Sequence, residues 1–231
     1  MTLTLKQHAY QIIRQRLLNG EFHPDDRLSD DALSKELGIS RSPVREAISQ
    51  LSTEGLVVHK PRSGVYVRQP SLEEMQELYE IREALESKAA GMAAERMREH
   101  DVKELGKLCA KMRTLAARCR QSKGHKATKS LTDQFLANDL DFHLLLLRGA
   151  GNKRMLQLVQ EFKLMTRIFG HVPVQHDLGI MARSYRHHMT VYKAIERRDK
   201  QAASYWMAQH IRVAQQYVLE GLRQQTGNSD N

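Results

Sequence analysis

Residues 33–48 read LSKELGISRSPVREAI, a pattern that predicts two short helices joined by a tight turn. The first helix should run from about 30 to 37, because the two aspartates at its start suit a helix N-terminus. Gly38 then stands where a left-handed helix cap is needed. The second helix opens at Ser40 or Ser42, either of which can cap it, and a proline follows in the first turn.

The second of these helices has one apolar face and one polar face. Its predicted inward residues are Val44, Ala47, Ile48 and Leu51. This arrangement leaves Arg41, Arg45 and Ser49 pointing outward near the N-terminal end, with Ser42 beside them. A recognition helix presents that end to the base edges of DNA, where arginine can bind guanine through two hydrogen bonds. We therefore predict DNA contacts from these four residues.

After residue 55 the pattern alternates with a period of two, which indicates strands. One strand is predicted at 57–60, a turn at 61–64 and a second strand at 65–68. The two strands would form a small wing. Its tip holds Arg62, Ser63 and Gly64. An arginine and a flexible glycine at the tip would allow close approach to a groove or a phosphate of DNA.

The rest of the chain predicts an all-α domain. A Pro-Ser pair at 70–71 marks the boundary, so the first domain should cover 1–70 and the second 71–231. Six helical segments follow, near 71–98, 101–121, 130–148, 152–169, 177–197 and 200–224. None shows the alternation of a strand, which favours a six-helix bundle. The fold class is therefore mainly α, with a winged helix-turn-helix, opened by a helix near 5–19, followed by the bundle.

The chain has 231 residues and a formal net charge of +9, but the excess charge is unevenly placed. Residues 1–70 hold ten Lys and Arg against eight Asp and Glu, whereas residues 96–129 hold eleven against three. The basic run indicates a solvated helix face, with a phosphate contact or an acidic partner as the alternative. No apolar run is long enough to span a membrane, and the N-terminus lacks a secretion signal. We expect a cytoplasmic protein.

Several helices of the second domain place a polar residue on their apolar face. They are Arg82, Asp139, His188 and His210, and His143 lies one turn beyond Asp139. One aspartate and three histidines suit Zn²⁺ or a neighbouring transition metal, with nickel or manganese as further candidates. Asp139 and His143 lie four residues apart, so they can bind one ion from the same helix face. The alternative is that the polar residues pair among themselves, with Asp139 bound to Arg82.

The first domain resembles the winged helix-turn-helix of GntR-family bacterial regulators. The resemblance rests on 33–48, on Leu51, on the Glu-Gly-Leu of 54–56 and on the Gly-Val-Tyr-Val of 64–67. It implies that Arg41, Arg45 and residues 62–64 contact operator DNA, and that the protein is a homodimer on a two-fold double-stranded operator. One departure is Asp30, which stands where the family commonly has glutamate.

The second domain resembles the FCD-type ligand-binding domain of the FadR branch, and its six helices resemble the VanR-like subgroup. The matching features are the DLDFH of 139–143, the Gly-Asn break at 151–152, His188 and the MAQHI of 207–211. The resemblance implies a metal site made of Asp139, His143, His188 and His210. His187 is the nearest competitor of His188, but it falls off the apolar face. Asn152 is expected to cap the helix that follows it.

These features together predict a metabolite-responsive transcriptional repressor rather than an enzyme. A small organic acid would bind the metal through an open position and pair with Arg82, whose planar guanidinium suits a carboxylate. A metal-dependent hydrolase is one alternative, but it needs a general base, and no glutamate shares the faces of Asp139, His188 or His210. In the other alternative, the helical domain of a DNA-binding regulator serves only for dimerisation.

Overall fold

The structure, a computed structural model, describes residues 3–169 and 178–227. Within these ranges the chain divides into two compact units, called the head and the body below. The head contains residues up to 71 together with 164–169, the last residues of a long helix. The body contains residues 72–163 and the residues from 178 onward.

The head contains three helices and a small antiparallel sheet, as the sequence predicts. Its elements are α1 (Leu5–Leu18), β1 (Arg27–Leu28), α2 (Asp30–Leu37), α3 (Arg41–Thr53), β2 (Val57–Lys60) and β3 (Gly64–Val67). The strand order is β1-β3-β2. Strand β1 was not predicted, because a strand of two residues is too short to show alternation. It pairs with β3 through Arg27 opposite Tyr66 and Leu28 opposite Val65.

The helices of the head begin and end at residues suited to those positions. Thr4 and Gln7 form a capping box at the start of α1, each side chain bonding the backbone N–H of the other. Ser29 caps α2, and Gly38 ends it with a left-handed φ of 65°. Ser40 rather than Ser42 holds the cap position of α3, although its side chain makes no capping hydrogen bond.

The core of the head joins α1, α3 and the sheet. Its buried apolar side chains include Ala9, Ile13, Leu17, Leu28, Leu33, Leu51, Leu56, Val57 and Val67. The predicted inward residues of α3 (Val44, Ala47, Ile48 and Leu51) are all buried. Burying each large apolar side chain contributes roughly 1.5–3 kcal/mol. The packing of these inward residues therefore determines which side chains of α3 face solvent.

Within the described residues, six long helices follow residue 71, in agreement with the sequence prediction. They are α4 (Leu72–Arg96), α5 (Glu99–Gln121), α6 (Lys129–Gly149), α7 (Lys153–Phe169), α8 (Leu178–Glu196) and α9 (Lys200–Gly227). Asn152 caps α7 as predicted, because its Oδ1 accepts from the backbone N–H groups of Arg154 and Met155. Among the described residues, no helix is both long enough and apolar enough to cross a membrane.

Helix α4 packs along α9, and α5 packs against α6 and α8. Small residues make these approaches close. A Cβ on Gly91 of α4 would lie 2.4 Å from Ser204 Oγ of α9, and one on Gly106 of α5 would lie 2.9 Å from the Tyr192 ring of α8. These helices therefore lie close together, and their inward polar side chains can contact one another.

The buried face of α4 differs from the predicted one. The sequence predicts an inward row of Met75, Leu78, Arg82, Leu85, Ala89 and Met92. In the structure Met75, Arg82 and Ala89 are buried, but Leu78, Leu85 and Met92 are only half-buried. Tyr79 and Glu86 are buried instead. Because α4 packs against α6, α8 and α9, its buried face is turned toward the row that contains Glu86.

Candidate functional site

Three helices of the body bring the four predicted metal ligands together. They are Asp139 and His143 of α6, His188 of α8 and His210 of α9. One ligand atom from each lies within 4.8 Å of the others. The histidines are buried, whereas the Asp139 side chain keeps 24% of its surface exposed. A ligand from solvent would therefore reach this group on the Asp139 side.

The contacts of the outer ring nitrogens fix where two of the histidines carry their protons. His188 Nδ1 lies 2.8 Å from the backbone oxygen of Ser184, which can only accept, so Nδ1 donates. His143 Nδ1 contacts Glu86 Oε2, and neither atom has another hydrogen-bonding partner among the described residues. In the neutral rings the Nε2 atoms of both histidines are therefore lone-pair donors to a metal.

These Nε2 atoms face one another at metal-site distances. His143 Nε2 lies 3.3 Å from His188 Nε2 and 3.2 Å from His210 Nε2, and His188 Nε2 lies 3.2 Å from Asp139 Oδ1. A tetrahedral Zn²⁺ with bonds of about 2.0–2.1 Å holds its ligand atoms about 3.3 Å apart. Lone pairs at this spacing repel one another unless a cation lies between them. The donor set therefore fits a divalent transition metal.

The charges around the group favour ionised carboxylates and neutral imidazoles. Burial alone would raise the pKa of Asp139, but nearby positive charge, that of Lys163 first, outweighs it and holds the pKa well below its ordinary value. Burial and the nearby Lys163 ammonium lower the pKa of His143 to about 4. Burial and the neighbouring His188 hold the pKa of His210 well below its ordinary value. Metal ligands need these protonation states.

Two further residues of the site, Glu86 and Lys163, were missed by the sequence analysis. Glu86 Oε1 accepts from Arg82 Nε at 2.8 Å, and its other oxygen contacts His143. Lys163 Nζ lies 3.5 Å from Asp139 Oδ2. Signals for both existed: Glu86 lies one helical turn after Arg82, and Lys163 continues the buried row of Met155 and Val159 on α7.

The pairing of Asp139 with Arg82, which the sequence left open, does not occur. Arg82 pairs with Glu86 and lies over the Tyr79 ring at 4.8 Å from its centroid. Glu86 is a glutamate beside the ligand group, where the sequence predicted no glutamate that could serve as a general base. Because its oxygens are engaged by Arg82 and His143, it orients a ligand rather than standing ready to take a proton from water.

His187, the competitor of His188, is not part of the ligand group. Its ring packs against the His210 ring with a centroid separation of 6.0 Å and an interplanar angle of 67°. Asp141 is exposed, as its position off the apolar face predicts. The geometry thus groups Asp139 and His188, rather than these neighbours, with His143 and His210.

In the head, the predicted DNA-contacting residues of α3 lie on its exposed face. They are Arg41, Ser42, Arg45 and Ser49. Two arginines of this face pair with the first turn of α2. Arg45 Nε donates to Asp30 Oδ2 at 2.5 Å, and Arg41 Nη2 donates to Asp31 Oδ1. The sequence analysis did not predict these two pairs.

The predicted wing tip is the exposed turn between β2 and β3. Arg62 and Ser63 are exposed, and Arg62 has a left-handed φ of 60°. Gly64 lies against the Arg27 guanidinium, since a Cβ there would come within 3.0 Å of Arg27 Nε. A shallow groove lies between α3 and the sheet of the head. The residues that line it include Arg27, Ser29, Asp30, Arg45, His59 and Gly64. Arg27 is thus a candidate DNA contact that only the unpredicted strand β1 reveals.

Comparisons with known proteins match both units. A model described as the FCD domain matches residues 77–213, and one described as bacterial regulatory proteins, gntR family, matches residues 5–67. The chain is similar to the HTH-type transcriptional repressor RspR of Escherichia coli (strain K12), with 27% identity over 99% of this chain and 94% of that protein.

The fold is also similar to solved structures. One is E. coli McbR/YncC, with a TM-score of 0.77, 18% identity and coverage of 95% of this chain and 99% of the other. Another is a transcriptional regulator GntR from Rhodococcus sp. RHA1, with a TM-score of 0.73, 23% identity and coverage of 93% and 97%. These matches agree with a mainly helical fold that carries a small winged sheet.

Proposed function

Because the chain belongs to the gntR family of bacterial regulatory proteins and carries an FCD domain, we propose that it is a metabolite-responsive transcriptional repressor. Its family and relatives are DNA-binding transcriptional regulators rather than enzymes. Residues 1–70 would bind operator DNA, and residues 71–231 would bind the effector and join two chains into a homodimer in the cytoplasm. The observation that carries the proposal is the convergence of one aspartate and three histidines in the body of a winged helix-turn-helix protein.

Operator binding would use the exposed end of α3 and the wing. The residues proposed to contact DNA are Arg41, Ser42, Arg45, Ser49, Arg62, Ser63 and Gly64. All of them except the half-buried Gly64 are exposed, and this exposure supports the assignment. Residues 1–70 carry an excess of only two positive charges, so a single head would bind DNA weakly. Two heads held in one dimer would reach useful affinity, because the second contact becomes intramolecular.

The metal would be held by Asp139, His143, His188 and His210, with zinc preferred and nickel or manganese as candidates. The donor types and the fixed positions of the His143 and His188 protons support this site. When bound, a divalent cation would supply a Lewis-acidic centre that attracts an anionic oxygen. The protein's own part is to exclude water with buried rings and to orient His143 through Glu86.

The charge balance of the site favours an anionic effector. Arg82 and Lys163 carry two positive charges, Glu86 and Asp139 carry two negative charges, and the neutral histidines add none. A divalent cation would leave this buried group with an uncompensated charge, which is costly in a medium of low polarity. A small carboxylate would offset that charge. Arg82 uses Nε for Glu86, so its Nη groups would bind the second oxygen of the effector.

The response to the effector would pass through α4, which carries Arg82 and Glu86 and directly follows the head in sequence. The effector can shift DNA binding only if its affinity differs between the DNA-competent and the incompetent arrangement. A carboxylate that reaches the Nη groups of Arg82 in only one arrangement of α4 would make such a difference, while Nε of Arg82 stays on Glu86.

The metal assignment is tested by elemental analysis of the purified protein. We expect about one transition-metal ion per chain in the wild type and in His187→Ala, which removes a neighbouring histidine outside the ligand group. We expect loss of the metal from His188→Ala and His210→Ala. The wild type could instead contain no metal, and added zinc, nickel and manganese could leave its thermal stability unchanged. That result would favour a helical domain that serves only for dimerisation.

The DNA assignment is tested with an operator selected from a random-sequence library. Arg41→Ala and Arg45→Ala should abolish specific binding while the metal content stays unchanged. Arg113→Ala is a matched control, because it removes one exposed arginine from the body. Specific binding retained by both head variants would contradict the assignment of α3 as the recognition helix.

A further inference from the structure

Two arginines on the exposed face of α3 bind aspartates of α2 through different nitrogens of their guanidinium groups. Arg45 donates through Nε, the inner nitrogen of its guanidinium, to Asp30. Arg41 donates through Nη2, one of the two terminal nitrogens, to Asp31. Both arginine side chains keep more than half of their surface exposed, at 68% for Arg45 and 58% for Arg41. The two pairs therefore lie at the surface, where DNA can reach them.

The position of the aspartates at a helix start does not by itself explain these pairs. Acidic residues in a first turn are favoured by the helix dipole whatever lies nearby. Here, however, Asp30 and Asp31 each bind an arginine from the next helix, fifteen and ten residues further along the chain, respectively. Asp31 also binds Lys35 within its own helix at 2.9 Å, whereas Arg45 supplies the largest effect on Asp30 and lowers its pKa. The two aspartates thus have different roles.

The atom that each arginine uses decides what it can still do on DNA. A guanine is read by two parallel donors that reach O6 and N7 in the major groove. Arg45 can offer both terminal nitrogens while Nε stays on Asp30, so the carboxylate would hold the guanidinium in place during reading. Arg41 has a terminal nitrogen on Asp31, so the same contact would compete with its pair. A phosphate contact by Arg41 would likewise replace the pair.

We infer that Asp30 is a positioning residue that holds Arg45 for reading one guanine of the operator, whereas Asp31 competes with DNA of any sequence for Arg41. This inference rests on the proposed DNA-binding function. It assigns sequence discrimination to the Asp30–Arg45 pair and a general lowering of affinity to Asp31. Removing the Asp30 carboxylate therefore lowers the ratio of operator binding to nonspecific binding, whereas removing the Asp31 carboxylate leaves that ratio unchanged.

The test compares the full-length wild type with Asp30→Asn and Asp31→Asn on three DNA duplexes at one fixed salt concentration. The duplexes are the selected operator, the operator with single G·C pairs exchanged for A·T, and an unrelated sequence. A guanine read by two donors gives the wild type a preference of roughly 5- to 150-fold at one position. Arg45→Ala identifies that position, because it removes the preference there.

We expect Asp30→Asn to lose most of the preference at that position while binding the unrelated duplex at least as tightly as the wild type. Asp30→Glu should restore the preference, since it restores a carboxylate. Asp31→Asn should bind all three duplexes more tightly by a common factor, about two- to fivefold, because an exposed ion pair is weak. Glu36→Gln is the control, since it makes the same charge change in the head next to Arg16, which lies outside α3.

A preserved preference in Asp30→Asn, or equal effects of Asp30→Asn, Asp31→Asn and Glu36→Gln, would overturn the inference and leave the DNA-binding function standing. A wild type that selects no sequence from the library would overturn the proposed function itself. Circular dichroism of each variant separates a loss of preference from a loss of folding. If Asp30→Asn fails to fold, Asp30→Ser takes its place. A preference that is lost in Asp30→Ser and present in Asp30→Glu supports the inference, whereas a preference that is kept in Asp30→Ser overturns it.

Discussion

The head and the body each have a charged pair at the site proposed for their function, but water reaches only the pair of the head. In the head, Arg45 and Asp30 form a pair whose side chains are 68% and 30% exposed. In the body, Arg82 and Glu86 form a pair whose side chains are 6% and 1% exposed. Water and salt weaken the first pair, whereas the second has only its neighbours to compensate its charges.

This difference matches what each region is proposed to do. A residue that must exchange a protein partner for DNA needs a pair that breaks at little cost, and an exposed pair meets that need. A site that must hold a cation in one geometry needs ligands that do not rearrange, and buried pairs meet that need. Exposure therefore separates the groups that exchange partners from the groups that position others, and the following predictions test that separation.

The largest effect should come from breaking the buried pair with Arg82→Met. The substitution keeps much of the side-chain volume but leaves the Glu86 charge without its arginine, which typically costs about 3–5 kcal/mol. Urea unfolding followed by circular dichroism would measure the loss. The matched control is Arg212→Met, which breaks a pair between α9 and Glu83 of the same helix α4.

Arg212 is exposed, so its loss should change the stability of the body little. Equal losses for Arg82→Met and Arg212→Met would show that burial does not distinguish the two pairs. Arg82→Lys adds a second comparison, because it keeps the charge beside Glu86 but loses the planar guanidinium. We expect its stability to lie between those of the wild type and Arg82→Met.

A slightly smaller effect should follow acidification of the chelator-treated, metal-free protein. His143 faces Glu86 of α4, Asp139 of α6, Lys163 of α7, His188 of α8 and His210 of α9. Its pKa is lowered from 6.5 to about 4, so the unfolded chain takes up the proton first. The stabilisation is therefore complete above pH 6.5 and is lost as the pH falls toward 4, on the order of 3 kcal/mol.

The measurement is the urea midpoint of the body between pH 7 and pH 4.5, with and without added zinc. His143→Gln should reduce the dependence in the metal-free protein, and the remainder is expected from His210, whose pKa is also lowered. A stability that stays constant over this range in the metal-free wild type would contradict the buried, neutral state of His143. The Asp30 and Asp31 pairs of the head should contribute little to this dependence, because their basic partners lower the pKa of both carboxyls from an ordinary value that already lies below this range.

A part of the site could be predicted from the sequence where a local pattern determines it. It could not be predicted where packing between helices determines it. The exposed face of α3 could be predicted because its inward residues, such as Val44 and Ile48, form a local repeat. Asp139 and His188 stood out as polar residues on apolar faces. Glu86 did not, because its burial arises from packing of α4 against three other helices. The Asp30–Arg45 pair also depends on how two helices cross, which no local pattern records.

The third prediction concerns metal affinity. Glu86→Gln removes the charge behind His143 while keeping a group that can accept from Nδ1. Residues that orient a metal ligand in this way typically contribute about 10- to 100-fold to metal affinity. Competition with a chromogenic chelator would measure the change. Glu83→Gln serves as the control, because it makes the same change on α4 at the Arg212 pair outside the ligand group.

The smallest effect should come from Glu36→Gln in the head. Glu36 accepts from Arg16, but its side chain is 58% exposed, and Arg16 also binds Glu21 and lies over the Phe22 ring. Arg16 would thus keep two of its three contacts. Exposed pairs contribute less than about 1 kcal/mol to stability, and less as salt rises. A larger loss of stability on thermal unfolding, or a loss that persists in 1 M salt, would show that ion pairs at the head surface stabilise the fold. The exchange of Asp31 for DNA that is proposed for Arg41 would then cost too much free energy to occur.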